Sequence, residues 1–174
     1  MGIQIGTKPD SGFDDPLEML KDCHRRIEHF LRILCVVAER AQGYCLSQEE
    51  TTAVEGALNY FRVGGQRHTA DEEESLFPRL IAAGGFFELG QLEHDHSEAN
   101  QLHEQVEAQY RSWISAGSLD ESEARHLLSA TGRLRDLYRA HIQLEDNVVF
   151  PKAAKVLDKD AIGVIGQEFR ARRQ

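Results

Sequence analysis

Hydrophobic residues recur every three or four positions through most of the chain, and this period predicts helices that bury one face. Polar residues mark where the helices begin. Asp15-Pro16 is an N-cap followed by a first-turn proline, and Ser47 with Glu50 three residues later is a capping box. We therefore expect a first helix from Asp15 to about Ala41 and a second helix from Ser47. No strand pattern competes with these helices.

The remaining boundaries follow from the same signals, because glycine is favoured after a helix and aspartate before one. The second helix is expected to end at about Ala82 ahead of Gly84-Gly85, the third to span about Phe87 to Ala116, the fourth to run from Asp120 to about Leu157, and a final one to follow Asp158. Four long helices with short connections favour an all-α, antiparallel up-down four-helix bundle. The predicted organisation is an irregular segment at 1–14, the bundle at 15–157 and a short C-terminal helix or tail at 158–174.

One polar pattern occurs twice. A histidine, a glutamate four residues later and a Phe-Pro pair appear as His68, Glu72 and Phe77-Pro78, and again as His141, Glu145 and Phe150-Pro151. Residues four apart lie on one face of a helix, so each copy presents an imidazole and a carboxylate to a common point. A single pair of this kind is common on solvated helix surfaces, whereas two copies indicate a metal site.

The repetition extends to the predicted first and third helices, whose apolar stripes align with His24 matching His96. The interval from His24 to His68 is nearly matched by that from His96 to His141, whereas His94 does not fit, so His96 is expected to face inward. In an antiparallel bundle such side chains meet in the core. The predicted metal ligands are His24, His68, Glu72, His96, His141 and Glu145.

The ligand types suggest the metal. Two buried carboxylates are costly without positive charge, and cations are the simplest source of it. Imidazole and carboxylate without thiolate suit iron, manganese or zinc. Six ligands exceed what one structural zinc needs and favour two metals bridged by the carboxylates. We expect two iron ions, with manganese or zinc as alternatives.

Composition narrows the class of protein. The chain has 174 residues and a net charge of −9, which argues against nucleic acid as a partner. No apolar run approaches the roughly 20 residues that span a membrane. We interpret Arg170, Arg172 and Arg173 as helix-end charges. Three cysteines and no secretory segment before Asp15 favour reduced thiols and a cytoplasmic location.

The segments 22–28 (DCHRRIE) and 68–78 (HTADEEESLFP) resemble a bacterial branch of the hemerythrin-like, HHE cation-binding family, and the resemblance covers about Asp15 to Leu157. It implies a four-helix bundle with a non-haem di-iron centre, in which the four histidines are terminal ligands, Glu72 and Glu145 are bridges, and Glu73 and Asp146 are outer or surface acids. Oxygen-carrying members have a further histidine where this chain has Asn100. More open coordination would favour sensing or reactions over oxygen carriage.

A second feature lies one to two turns from the predicted metals. Gly64-Gly65 aligns with two bulky residues of the fourth helix, and His103 interrupts an apolar stripe. We expect a pocket for a small ligand framed by Gly64, Gly65, His103 and Tyr138. The alternative is that His103 and Tyr138 simply hydrogen-bond to each other or to the backbone.

Three functions remain open. The favoured one is a di-iron protein that binds or senses O2, NO or H2O2 and passes a signal to an unidentified redox or signalling protein. The second is a di-iron enzyme, such as a peroxidase, an NO reductase or an iron donor for repair. The third is a metal-free helical interaction protein.

Overall fold

A computed structural model describes residues 11–84 and 88–174, and helices dominate this part of the chain. The predicted all-α fold is confirmed. The helices, in chain order, are α1 at Pro16–Ala41, α2 at 48–82, α3 at Glu88–Ala116, α4 at 121–156 and α5 at Lys159–Ala171. In the described residues, no helix combines the length and the apolarity needed to cross a bilayer.

Four side chains cap the helix starts as the sequence predicts. The side chains of Asp15, Ser47, Asp120 and Asp158 each accept a hydrogen bond from the backbone N–H three residues later. Ser47 and Asp120 also form complete capping boxes. Most of the predicted irregular segment, residues 1–10, lies outside the described residues, as do Gly85 and the predicted third-helix start at Phe87.

Helices α2 and α4 are not regular throughout. α2 contains α-helical stretches and two π-helical turns, in the order Gln48–Tyr60, Phe61–Gly65 (π), Gln66–Asp71, Glu72–Leu76 (π) and Phe77–Ala82. α4 consists of Glu121–Leu144, the π turn Glu145–Val149, and Phe150–Val156. A π turn lies just before the Phe-Pro pair at Pro78 and just before the one at Pro151.

The proline explains the widened turn. Pro78 has no N–H for the carbonyl four residues back, and its ring would clash with that carbonyl in a regular helix. The helix instead inserts one extra residue, so that the N–H of Phe77 bonds to the carbonyl of Glu72. Phe150 bonds to Glu145 in the same way ahead of Pro151. Each predicted Phe-Pro pair therefore ends a π turn that begins at the glutamate.

The bundle has two apolar clusters with a polar layer between them. The first contains Leu34, Val106 and Trp113, and the second contains Leu20, Phe77 and Phe150, together with other buried side chains. The predicted ligand positions fall between the two clusters on all four bundle helices. His24 near the start of α1 meets His68 late in α2, with ring centroids 4.9 Å apart, so the two helices are antiparallel.

Helix α5 is fastened across α2. Asp71 is fully buried and accepts hydrogen bonds from Arg172 at 2.9 Å and from Arg173 at 2.5 Å. Arg79 of α2 pairs with both carboxylate oxygens of Glu168, at 2.8 and 3.0 Å. Our interpretation of Arg172 and Arg173 as helix-end charges is thus incomplete, because both neutralise a buried acid.

A glycine allows the chain ahead of α1 to cross α5. A side chain at Gly166 would collide with the carbonyl oxygen of Phe13, so no other residue fits at this crossing without moving the backbone. The guanidinium of Arg170 lies over the Phe13 ring at 5.1 Å. Phe13 also packs against the second apolar cluster.

Candidate metal centre

The six predicted ligands meet in the core. Their side chains come from α1, α2, α3 and α4, and none is more than 5% exposed: His24 2%, His68 3%, Glu72 0%, His96 5%, His141 3% and Glu145 0%. The backbone keeps each histidine and glutamate together, because the N–H of Glu72 bonds to the carbonyl of His68 and that of Glu145 bonds to His141. Each π turn begins at the glutamate, so the regular helical hydrogen bond between the glutamate and its histidine is kept.

The side chains form two overlapping groups that share both carboxylates. Ligand atoms of His24, His68, Glu72 and Glu145 lie within 4.8 Å of one another, as do those of Glu72, His96, His141 and Glu145. Each group takes its two histidines from one repeat. Each group has four side chains that could hold a metal ion, and Glu72 and Glu145 belong to both.

Each carboxylate contacts one imidazole of each group. Glu145 Oε2 lies 3.1 Å from Nε2 of His24 and 3.1 Å from Nε2 of His141. The two oxygens of Glu72 lie 3.4 Å from Nε2 of His68 and 3.3 Å from Nε2 of His96. Both glutamates therefore lie between the histidines of the two groups.

The unsatisfied atoms at the centre fit a cation. Within the described part of the chain, both oxygens of Glu72 and Glu145 and the Nε2 atoms of His24 and His68 are buried without a hydrogen-bond partner. Buried carboxylate oxygens in this condition are costly, whereas they are ordinary when they coordinate a metal. The donor set of four imidazoles and two carboxylates matches what iron, manganese or zinc binds.

Burial and neighbouring groups shift the pKa values of the central side chains. Burial lowers the pKa of His24, but the hydrogen bond to Asp146 and the nearby carboxylate of Glu145 outweigh it and raise that pKa to about 10. Burial and the neighbouring Glu145 raise the pKa of Glu72. For Glu145, the effect of burial is outweighed by His141 and His24, which hold its pKa low. Metal binding must displace protons from these side chains, so it weakens as the pH falls.

Further carboxylates hold the outer nitrogens of three histidines. Asp146 Oδ1 lies 2.9 Å from Nδ1 of His24, and Glu73 Oε1 lies 2.8 Å from Nδ1 of His96. Asp95 Oδ2 lies 3.4 Å from Nδ1 of His141. The family resemblance left Glu73 and Asp146 as outer or surface acids; both contact a histidine while remaining partly exposed, 39% and 33%. Sequence analysis did not find Asp95.

The phenylalanine of each Phe-Pro pair lies against a histidine of the other repeat. Phe150 stacks on His24 with ring centroids 5.5 Å apart, and Phe77 lies parallel to His96 at 6.2 Å. The π turns that start at the glutamates carry these rings into place. Each copy of the repeated pattern thus supplies a histidine and glutamate pair, and also a phenylalanine that packs against a histidine of the other repeat.

The other histidines of the chain lie away from the centre. His94 is exposed, in agreement with the choice of His96 as the inward residue of this stretch. His29 and His126 are also exposed. His103 is partly buried and belongs to a different feature, beyond the metal layer.

A groove of about 420 Å³ runs beside the centre between α2, α3 and α4. Gly65, His103 and Tyr138 line it together with Asn100 and Glu73. Nε2 of His103 lies 3.0 Å from the Tyr138 hydroxyl, so the pair makes the hydrogen bond that we considered as the alternative to a ligand pocket. Burial lowers the pKa of His103 to about 4, which keeps this imidazole neutral at pH 7.

Gly64, which we expected to frame the pocket, lies beside Tyr60 and not among the residues that line the groove. A Cβ on Gly64 would lie 2.8 Å from Cε2 of Tyr60, so its missing side chain makes room for that ring. Tyr60 stacks on Phe30 at 4.4 Å. The glycine pair also falls within the π turn Phe61–Gly65, which has no counterpart in α4. Gly65 therefore lies at the groove, and Gly64 accommodates Tyr60.

Fold and site define a helical bundle with a candidate centre for two metal ions. A family model, the hemerythrin HHE cation binding domain, matches residues 15–153. The chain belongs to this family. It is also 27% identical over 164 residues to an uncharacterized protein of Haemophilus influenzae, an alignment that covers 93% of this chain and 92% of that protein.

Proposed function

We propose that this protein holds two iron ions through the six central side chains and binds or senses a small ligand, O2, NO or H2O2, at that centre. One observation carries the proposal: two groups of four buried ligand atoms share both carboxylates. His24 and His68 would hold one ion and His96 and His141 the other, with Glu72 and Glu145 bridging. Manganese or zinc would fit the same donors, because affinity alone does not select iron.

The proposal that a small ligand binds at the centre is supported by the number of protein ligands. Each ion would have only four, which leaves coordination positions open. Asn100, where oxygen-carrying relatives have a histidine, is exposed and lines the groove. Iron with an open position supplies a place for O2, NO or peroxide to bind. The surrounding chain excludes water from the polar layer, since apolar clusters lie on both sides of it.

The groove offers an approach for such a ligand. Glu73 lines the groove and contacts His96, and the ring of Tyr138 lies 6.4 Å from that of His141. We propose that Gly65, His103 and Tyr138 frame this approach. A neutral His103 can accept a hydrogen bond from the Tyr138 hydroxyl, whose oxygen then remains free to accept one from a protonated ligand.

The experiment is anaerobic reconstitution with Fe(II), followed by optical spectra as O2, H2O2 or NO is added. A spectral change with at least one of them is expected. His103→Leu and Tyr138→Phe should keep the metal content but change the rate about fivefold, the effect of one hydrogen bond of about 1 kcal/mol. Tyr44→Phe is the matched control, because Tyr44 is 75% exposed.

The outcomes separate the parts of the proposal. Loaded protein whose spectrum responds to none of the three ligands would reject ligand binding. A response with unchanged rates in both groove variants would reject the approach through His103 and Tyr138. Repeated turnover of peroxide or NO would favour the enzyme over the sensor.

A further inference from the structure

The two metal positions differ in the support behind their histidines. At the His96 and His141 position, both outer nitrogens face a carboxylate: Glu73 at 2.8 Å and Asp95 at 3.4 Å. Asp95 is itself held by Gln91, whose Nε2 donates to Oδ1 at 2.6 Å. The second carboxylate is therefore fixed in place by its own helix.

At the other position only one histidine has this support. Nδ1 of His24 lies 2.9 Å from Asp146. Nδ1 of His68, in contrast, is buried and has no hydrogen-bond partner among residues 11–84 and 88–174. This imidazole is 3% exposed, so water does not readily replace the missing partner.

The repeats explain the difference. Asp146 and Glu73 occupy equivalent positions, one residue after each bridging glutamate, and each holds the histidine of the opposite repeat. Asp95, one residue before His96, corresponds to Cys23, one residue before His24. Cys23 accepts a hydrogen bond from Arg26 at 3.0 Å. The residue matching Gln91 is Met19, so α1 lacks both members of the pair that supports His141.

A carboxylate behind a ligating imidazole has known consequences. It accepts the proton on Nδ1, fixes the tautomer that exposes Nε2 to the metal, and makes Nε2 a stronger donor. Loss of such a partner typically weakens metal binding about 10- to 100-fold. His141 has this support from Asp95, and His68, its equivalent, does not.

We propose that the two metal positions are unequal: the His96 and His141 position binds its ion more tightly and fills first, and the His24 and His68 position is the exchangeable one. This inference rests on the proposed two-metal centre. It makes Asp95 a positioning residue that sets the order of loading. With one ion held firmly at the tighter position, the bundle can take up or release the second ion while the first continues to stabilise the fold.

The test is a titration of the metal-free chain with Co(II) against a competing chelator. Two dissociation constants that differ by about tenfold or more are expected in the natural chain. Asp95→Asn should weaken the tighter constant about tenfold and change the weaker one far less. Asp136→Asn, which removes an exposed carboxylate from α4, is the control and should change neither.

A second measurement does not depend on any variant. Crystals of the chain with one equivalent of Co(II) should give anomalous scattering between His96 and His141. Two bound ions with equal constants, or the first ion between His24 and His68, would overturn the inference and leave the two-metal centre intact. Saturation at one ion or none would overturn the proposed function itself.

Discussion

The two repeats of this chain share what binds metal and differ in what surrounds it. Both have the histidine and glutamate pair, the π turn that follows it, and the phenylalanine that packs on the opposite histidine. Among the places where they differ are Cys23 and Asp95, Leu31 and His103, Gly64-Gly65 and Leu137-Tyr138, and Asp71 and Leu144. The shared positions thus form the candidate centre, and we propose that the differing ones set its stability, access and order of loading.

The largest effect is expected where the repeats are the same. Glu72→Ala and Glu145→Ala should each weaken both metal positions, because either carboxylate contacts one histidine of each. Metal at 100 times its dissociation constant stabilises the fold by about 2.7 kcal/mol per ion, or about 5 kcal/mol for two. Urea unfolding with and without metal should show that this gain is lost.

Glu55→Ala is the control for these variants, since Glu55 is exposed on α2 away from the centre. It should keep the full metal-dependent gain. A Glu72→Ala chain that still bound one ion at its original affinity would contradict the bridging role.

The next effect concerns the ion pairs that α5 forms with α2 of the first repeat. Asp71→Leu introduces the residue type found at the equivalent position of α4, and leaves Arg172 and Arg173 without their buried partner. Breaking a buried pair from one side costs about 3 kcal/mol. Asp71→Leu combined with Arg173→Leu should recover part of that loss in a double-mutant cycle. Strictly additive costs would show that the pairing contributes little.

A smaller effect tests the histidine that replaces a leucine. His103 has a pKa of about 4 in the folded chain, against about 6.5 unfolded. As the pH falls from about 6.5 to about 4, the unfolded chain takes up a proton that the folded chain does not, so stability is lost in that window. At pH 4.5 the loss should reach about 2 kcal/mol.

His103→Leu removes this titration. In metal-free protein, the decrease in the free energy of unfolding between pH 7 and pH 4.5 should be about 2 kcal/mol smaller for the variant than for the natural chain. Equal decreases would mean that His103 is not buried as a neutral imidazole.

The smallest effect distinguishes two glycines of α2. Alanine at Gly56 would meet nothing within 4 Å and should stabilise the helix by about 0.5–1 kcal/mol, because alanine favours helices. Alanine at Gly64 would press on the Tyr60 ring and should destabilise by about 1 kcal/mol. Thermal unfolding of the two variants measures the difference. A stabilised Gly64→Ala chain would show that Tyr60 moves aside freely.

The parts of the structure that sequence reasoning predicted depend on local spacing. Asp15 and the capping boxes act within a single helical turn. The pattern of histidine, glutamate and Phe-Pro occurs twice with the same internal spacing, so both features can be recognised in the sequence. The fold and the convergence of the six side chains follow from them.

The parts that were missed depend on partners distant in sequence. Asp71 pairs with Arg173, 102 residues later, and no pattern among neighbouring residues predicts this contact. Asp95 supports His141 from another helix, 46 residues away. The glycine pair predicted only a loss of side-chain volume at this place in the helix. The structure shows that Gly64 also lies in a π turn.

The central claim is tested most directly by the metal content of the chain after anaerobic reconstitution with Fe(II) and removal of excess ion. Elemental analysis should find two ions per chain. His94→Ala should retain both, because His94 is exposed, and His96→Ala should not. A natural chain that bound one ion or none under these conditions would contradict the claim.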